Sequence, residues 1–199
     1  MWVSIKKLAV LTIAAGMAFP VIAGDYTSIN SDVRVGAGSS ADNVQSVNGS
    51  IRIGDEAVVR SVNSVNGSIK IGRGVTVERR IEAVNGAISL DSGSQVGEGV
   101  ESVNGTIELQ GTHVAGDIDT INGGIRLLDG TVIAGNVKVR KPNNWGWNNK
   151  RSKPVKVEIG QDVQVHGNLV FEHAVELRVH ESATYGDIVG DEVTLIDIE

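Results

Sequence analysis

The chain has 199 residues and no cysteine, so it is long enough for one domain and excludes stabilisation by disulfides. Its formal charge of −6 at pH 7 argues against a general nucleic-acid binder. Glycine contributes 25 residues and proline only 3, while valine and isoleucine alternate with polar residues. This composition is typical of short β-strands separated by many tight turns.

The segment 1–23 has the pattern of a secretory signal peptide. Lys6 and Lys7 precede an apolar run at 8–22, which is shorter than the ~20 apolar residues that a membrane-spanning helix needs. We therefore predict cleavage and an exported domain at 24–199, located in the periplasm, at the cell surface or outside the cell. Losing these two lysines and no acid would change the formal charge from −6 to −8.

The next feature in the chain is a nine-letter motif that recurs at a nearly constant interval. A decayed first copy, SINSDVRVG at 28–36, has Ser31 where the other copies have glycine. The five clear copies are SVNGSIRIG at 46–54, SVNGSIKIG at 64–72, AVNGAISLD at 83–91, SVNGTIELQ at 102–110 and TINGGIRLL at 120–128. Later copies start at Leu169 and Ile188.

We number places within a copy from the apolar residue four positions before the Asn, so that Val44 is at place 1 and Asn48 at place 5. Apolar residues occupy places 1, 4, 8 and 10, and Asn-Gly occupies places 5 and 6. An antiparallel meander would need a tight turn between every pair of strands, but Asn-Gly appears once per copy. The pattern therefore predicts an all-β, single-domain parallel β-helix of about eight coils, because stacked identical coils bury each other's apolar faces.

Stacking places equivalent residues of successive coils above one another at the ~4.8 Å strand spacing. The asparagines at place 5 are then expected to form a structural ladder of side-chain amides. We expect the neighbouring glycines to supply the positive φ that a sharp corner requires. The predicted ladder consists of Asn48, Asn66, Asn85, Asn104 and Asn122.

A second signature, glycine followed by Asp or Asn, marks the later coils. It occurs as AGDI at 115–118, AGNV at 134–137, HGNL at 166–169 and YGDI at 185–188. The VNGSI-type copies resemble the exported β-strand-repeat adhesin family, and the glycine–Asp/Asn coils resemble the bactofilins, the polymer-forming bacterial cytoskeletal proteins. Over 26–199 this resemblance implies a cofactor-free β-helix that can assemble end to end, although the signal peptide departs from the bactofilin pattern.

One corner is interrupted by an insertion at 141–155, which reads KPNNWGWNNKRSKPV and contains no acid. Tryptophan can stack on a sugar or an aliphatic surface, asparagine both donates and accepts hydrogen bonds, and the basic residues attract anions. The segment is therefore a candidate contact surface for an anionic glycan, a lipid head group or an acidic protein. The alternative is a solvated loop whose tryptophans pack on the rod. The candidate residues are Trp145, Trp147, Asn144, Asn148, Lys150, Arg151 and Lys153.

The sequence shows no pattern for a catalytic, cofactor or metal site. P-loop, dinucleotide-binding and calcium-roll motifs are absent, and His113, His166, His173 and His180 share no column. Glu101 and Asp119 fall near one place in adjacent coils, but outward-facing solvated acids explain them more simply. A polysaccharide-active enzyme is therefore the least favoured interpretation, and we expect no cofactor.

The two ends of the predicted rod differ in charge. Acidic residues among the last apolar ones are expected to cap the C-terminal end, whereas the coil that starts at Tyr26 carries few charges and is expected to be the less protected edge. Self-association through the end coils is therefore one hypothesis. The favoured function is a non-enzymatic exported scaffold, structural or adhesive; the alternative is a bactofilin-like envelope polymer.

Overall fold

The computed structural model describes residues 24–142, 153–190 and 192–198, with the backbone alone for 197 and 198. Within these ranges the chain forms 23 β-strands, has no helix, and pairs every strand in parallel. The strands build a parallel β-solenoid of about eight turns, as the repeat predicted. The predicted signal peptide, 1–23, lies outside the described residues.

Each full coil contributes strands to three rows. Row A, at places 1 to 3, contains β1 (Tyr26–Ser28), β3 (Ser40–Ser46), β5 (Val58–Ser64), β8 (Ile81–Ala83), β11 (Val100–Ser102), β14 (Ile118–Thr120), β17 (Val137–Val139), β20 (Leu169–Phe171) and β22 (Ile188–Val189). Row B, around places 8 to 10, contains β2 (Val33–Val35), β4 (Ile51–Ile53), β6 (Ile69–Ile71), β9 (Ile88–Leu90), β12 (Ile107–Gln110), β15 (Ile125–Leu128), β18 (Val155–Ile159), β21 (Val175–His180) and β23 (Val193–Ile198). Row C closes the coil with β7 (Thr76–Val77), β10 (Gln95–Val96), β13 (His113–Val114), β16 (Val132–Ile133) and β19 (Gln164–Val165).

Hydrogen bonding groups these rows into two sheets. Row B is a sheet of nine strands, and rows A and C form one sheet of 14 because β3 and β5 run through the corner between them. The register follows the predicted coil starts: Tyr26 pairs with Val44, Val44 with Val62, and so on along row A. Eight strand spacings in row B give a rod roughly 40 Å long.

Alternating burial explains why these short segments form strands. In β4 and β6 the two isoleucines point inward and are almost fully buried, while the basic residue between them is exposed. Each fully buried isoleucine contributes about 1.5–3 kcal/mol relative to exposure. One coil exposes both edges of such a strand, so this burial is achieved only when the next coil stacks on it.

The inserted segment leaves the stacking of neighbouring coils in register. Val137 pairs with Leu169 across the insertion, and Ile125 pairs with Val157, as the spacing predicted. After the insertion the row B strands begin two residues earlier, so that Val155 pairs with Val175. The row B strands are therefore longer from this coil onward.

The ends of the rod differ from the expectation. At the N-terminal coil Val33 and Val35 are only 6% and 3% exposed, and half-buried Tyr26 packs against the core. At the C-terminal coil Ile188 and Leu195 are 37% and 49% exposed. The C-terminal end is thus the less covered one, because within the described residues no strand stacks on β23 to bury inward-facing side chains such as Leu195.

The corner glycines also serve a different purpose from the one predicted. Five of the six positive-φ glycines in the described residues lie at the opposite corner, after row B, for example Gly74 and Gly93 with φ of 64° and 78°, and the sixth, Gly190, follows β22. The glycines at place 6 instead permit close stacking. A Cβ at Gly67 would collide with the backbone carbonyl of Gly49, and one at Gly86 with that of Gly67.

Candidate functional site

The predicted asparagines lie in one continuous side-chain ladder, which also includes Asn30. Each Nδ2 donates a hydrogen bond to the Oδ1 of the asparagine one coil earlier. The donor–acceptor distances are 3.0 Å for Asn48 to Asn30, 2.9 Å for Asn66 to Asn48, 2.9 Å for Asn85 to Asn66, 2.8 Å for Asn104 to Asn85 and 2.9 Å for Asn122 to Asn104. The ladder runs along the outside of the corner between rows A and B.

A hydroxyl at place 3 holds the same corner from inside. The Ser64 Oγ donates to the Gly67 carbonyl at 2.8 Å, and the Gly105 N–H donates to the Ser102 Oγ at 3.1 Å. These bonds satisfy backbone groups that the strand ladders leave unpaired at the turn. The recurring Ser-Val-Asn-Gly sequence is thus a corner motif, with a buried hydroxyl, an outward amide and a glycine for close stacking.

Interrupting the ladder in its middle should destabilise the protein more than shortening it at its end. Asn85→Ala removes two amide hydrogen bonds and Asn30→Ala removes one. At about 0.5–1.5 kcal/mol per bond, we expect a loss of about 1–2 kcal/mol for Asn85→Ala and about half of that for Asn30→Ala. Urea unfolding of both variants measures the difference, and equal losses would show that stability does not follow the number of ladder bonds removed.

A second ladder explains the glycine–Asp/Asn signature of the later coils. The Asn136 N–H donates to the Asp117 Oδ1 at 2.7 Å, the Asn168 N–H to the Asn136 Oδ1 at 2.9 Å, and the Asp187 N–H to the Asn168 Oδ1 at 3.0 Å. Each side chain accepts a backbone hydrogen bond from the coil that follows. Burial raises the pKa of Asp117, but the Lys138 ammonium and the Asn136 N–H groups outweigh it, so its net pKa lies below the ordinary value.

Charged groups on the outer side of row A are paired between coils. Lys138 Nζ lies 2.6 Å from Asp117 Oδ2, and the Arg140 guanidinium binds both Asp119, at 2.7 Å, and Glu101, at 3.3 Å. Burial raises the pKa of Asp119, and Arg140 offsets this only in part. The two acids that the sequence placed side by side are therefore in register and share one arginine.

The base of the inserted segment departs from the regular ladders between coils. The Lys141 N–H donates to Glu172 Oε2 at 2.9 Å, and the His173 Nε2 lies 3.0 Å from the Ile121 carbonyl. In earlier coils the equivalent carbonyl accepts the N–H of the next asparagine, as that of Val103 does from Asn122. The insertion interrupts the coil that follows the coil of Ile121. His173, which belongs to the next coil, therefore lies beside the Ile121 carbonyl, where earlier coils place an asparagine N–H.

An open groove of about 350 Å³ lies at this base. Lys141, Glu172 and His173 form part of its wall, and Phe171 and Val189 supply apolar surface. The groove combines a cation, two carboxylates (Glu172 and Glu192) and an imidazole around a small apolar floor. It is suited to a mixed polar and apolar contact next to the insertion.

Most of the predicted contact residues cannot be placed. Trp145, Trp147, Asn144, Asn148, Lys150 and Arg151 lie outside the described residues, and Lys153 is exposed just before β18. The contact surface at 141–155 therefore stays a prediction. The described ranges show which groups frame the insertion, and His173 is the framing residue that sequence reasoning did not assign.

The four histidines occupy separate parts of the rod. His113 lies in row C, His173 at the inserted corner and His180 at the end of β21, while His166 follows β19. In the part of the chain that the structure describes, no group of three or more histidine, aspartate or glutamate side chains could hold a metal ion.

Sequence reasoning also missed a difference between places 1 and 4. Both are apolar, yet Val44 is fully buried whereas Val47, Val65 and Val84 are 39–41% exposed. The signal was present in the strand period, because place 1 points inward, place 2 outward, place 3 inward and place 4 outward. The apolar residues at place 4 are thus a surface feature.

Comparisons of the chain with protein-family models, with curated proteins and with solved structures found no match. The class of the protein is therefore defined by its own architecture, a parallel β-solenoid built from short coils of nearly constant length.

Among the residues with a described structure, no helix is long and apolar enough to cross a membrane.

Proposed function

We propose that the protein is a non-enzymatic exported scaffold, structural or adhesive, that works in the periplasm or at the cell surface. The observation that carries this proposal is the continuous stack of coils, which encloses an apolar core and carries an asparagine ladder along one outer corner. Such a stack is a stiff support for groups on its surface. The signal-like segment at 1–23 and the resemblance of the VNG coils to exported adhesins support the same function.

The inserted corner is the proposed contact surface. In place of Asn-Gly it has the segment 141–155, which combines two tryptophans with four asparagines and four basic side chains. A rigid scaffold that carries one long loop is a frequent arrangement in binding proteins. The chemistry fits an anionic envelope glycan, a phosphorylated lipid head group or an acidic protein, and it requires no cofactor or nucleic acid.

Intrinsic fluorescence of a protein beginning at Gly24 tests this proposal directly, because Trp145 and Trp147 are its only tryptophans. Titration with cell-wall glycan, lipopolysaccharide or anionic lipid vesicles should give a saturable blue shift as the indoles leave water. Lys150→Ala/Arg151→Ala should weaken the response to an anionic ligand and leave the unliganded spectrum unchanged. A spectrum that is blue-shifted at the start and does not respond would contradict binding by the insertion.

A matched control replaces residues 141–155 by Asn-Gly, which is what other corners of this type contain. The variant loses the pairing of Val155 with Val175 but keeps the stacking of Ile125 on Val157. It should therefore fold, as judged by circular dichroism, and fail to bind in a sedimentation assay with the same ligand. Unchanged binding by this variant would exclude the insertion as the contact surface.

The second candidate function is a bactofilin-like polymer that assembles through its end coils. The observation that favours it is the exposure of Ile188 and Leu195 at the C-terminal end, next to the unpaired edge of β23. Exposed strand edges invite pairing with another chain. Replacing 141–155 by Asn-Gly separates the two functions. If the protein is a ligand-binding scaffold, this variant should lose ligand binding. If the protein is a polymer, the variant should still form filaments.

A further inference from the structure

Row B presents a column of outward-facing residues that pair with each other from coil to coil, and we call it the charge column. It begins with Arg34 in β2 and continues to Arg178 in β21. The strands that carry neighbouring members of the column lie about 4.8 Å apart. The order of the charges therefore determines whether adjacent coils attract or repel each other on this face.

In the second half of the charge column the signs alternate. The residues are Glu108, Arg126, Glu158 and Arg178. The Arg126 guanidinium binds Glu108 at 2.5 Å in the preceding coil and Glu158 at 3.1 Å in the following one. Opposite charges on neighbouring strands stabilise a sheet. This half shows what the column contains when its charges help to hold the coils together.

The first half of the charge column contains three cations in succession. Arg34 is the register partner of Arg52, and Arg52 is the register partner of Lys70. Like charges directly opposite each other on neighbouring strands are destabilising. Holding the coils together therefore does not explain why all three residues are cations.

One carboxylate lies beside these cations. Asp32 Oδ2 is 2.8 Å from the Arg52 guanidinium and 4.0 Å from that of Arg34, while its Oδ1 accepts the Ser50 N–H. In the described residues the Lys70 side chain has no hydrogen bond or ion pair. Three cations and one acid give a local charge of +2 on a protein whose formal charge is −6.

The surface around the three cations is flat and polar. The hydroxyl residues Ser50 and Ser68 lie on one side of the column, and Asp55, near its other side, is already bound to Arg73 at 3.4 Å. Of the large hydrophobic side chains that are exposed in the described residues, none lies on row B before β23. The charged heads of these cations are therefore the main feature of this face.

This composition favours one class of anionic partner. Single-stranded nucleic acids stack their bases on aromatic side chains, and the described part of row B has none. Basic clusters that bind membranes contain roughly four to eight Lys or Arg residues, and protein interfaces have an apolar or aromatic centre. An acidic polysaccharide carries carboxylates between hydroxyl groups, which suits cations flanked by serines.

We propose that Arg34, Arg52 and Lys70 bind a linear acidic polysaccharide that has a carboxylate on successive sugars and runs along the axis of the rod. One coil advances by ~4.8 Å, a step comparable to the length of one linked sugar ring, so successive carboxylates can meet successive cations. The planar guanidinium groups of the two arginines match the two oxygens of a carboxylate, and the lysine supplies a point charge. The bound polymer would replace repulsion between the cations by attraction to its carboxylates.

This site is separate from the contact surface proposed at the insertion. Four strand spacings, roughly 20 Å, lie between β6, which carries Lys70, and β18, where the insertion ends. Binding at the charge column should therefore leave the fluorescence of Trp145 and Trp147 unchanged. The inference does not depend on the proposed function.

The first test is calorimetric titration of the protein beginning at Gly24 with hexagalacturonate, which has one carboxylate per sugar. Lys70→Glu should weaken binding about tenfold or more. It should not lower the midpoint of urea unfolding, because the new carboxylate lies opposite Arg52 as Glu108 lies opposite Arg126. Arg60→Glu is the matched control, since Arg60 is an exposed cation in β5 on the other sheet, and it should change the affinity by less than about twofold.

The second test separates charge from side-chain shape and from the insertion. Arg34→Ser/Lys70→Ser keeps the ion pair of Arg52 and should also lose about tenfold or more, whereas Lys70→Arg should retain binding. The uncharged methyl ester of the hexamer should not bind, and sodium chloride should weaken binding of the acid.

Four results would overturn the proposal. They are no binding by the unsubstituted protein, equal losses for Lys70→Glu and Arg60→Glu, equal affinity for a linear polyphosphate of six units, and a tryptophan blue shift that Lys150→Ala/Arg151→Ala abolishes. The last result would assign the binding to the insertion, so it would support the proposed function while contradicting this inference.

Discussion

Gly105→Ala should lower the free energy of unfolding by about 3 kcal/mol or more, or prevent cooperative folding. A Cβ at this position would lie closer than 3.0 Å to the backbone of Gly86 in the preceding coil. The collision is between two main chains, so no side-chain rotation relieves it, and the stack would have to separate at a point where the asparagine and strand ladders are continuous. Urea unfolding followed by circular dichroism measures the loss.

Two other substitutions to alanine isolate the cause. Gly93 has a φ of 78° but no atom nearer than 3.7 Å to its added Cβ, so Gly93→Ala should lose only the ~1–2 kcal/mol of a left-handed backbone. Ser31 occupies the corner of the first described coil, where Gly49 approaches it from one side and no other described coil stacks, so Ser31→Ala should be nearly neutral. If Gly105→Ala cost no more than Gly93→Ala, close stacking would not be the reason for glycine at place 6.

Deleting residues 81–99 should yield a folded protein that is one coil shorter. The deletion joins Arg80 to Val100, which then stacks on Val62 as Ile81 does in the intact chain. Asn104 would donate to Asn66 and continue the ladder. Because the denaturant dependence of unfolding scales with the surface exposed, its slope should fall by roughly one part in eight.

The matched control deletes 81–90, which removes a row A and a row B strand but keeps β10. The coil can then no longer close, and buried residues of both neighbours, such as Val62 in the preceding coil and Val100 in the following one, would lose their cover. We expect an unfolded or aggregated product by circular dichroism and size-exclusion chromatography. Similar behaviour of the two deletions would mean that the coil is not the unit of folding.

Much of this architecture follows from the spacing of similar residues. Equivalent positions one repeat apart, such as Val44 and Val62, pair directly, and even the longer step from Val137 to Leu169 was assigned correctly because Val157 restores the period. The reason is that every copy can bury the same residues only if equivalent residues of successive copies stack in parallel. The line of asparagines follows from the same register.

The details that matter for contact surfaces could not be assigned in this way. The interaction of His173 with the Ile121 carbonyl joins residues 52 positions apart and depends on the space that the insertion leaves. Arg140 binds both Glu101 and Asp119, and this likewise depends on the conformation that its long side chain adopts on the surface of the folded coils. Such contacts are set by packing across coils and have no signature in a local window.

By itself the sequence determined the class of fold, the register of the coils, the position of the insertion and the column of asparagines, because a repeat of constant length leaves one way to stack. Only the tertiary structure decided that the glycines at place 6 serve close stacking, that positive φ is needed mainly at the opposite corner, and that the C-terminal end exposes its apolar residues. These properties depend on what lies beside each residue in the neighbouring coil or, at the ends, on the absence of a neighbour.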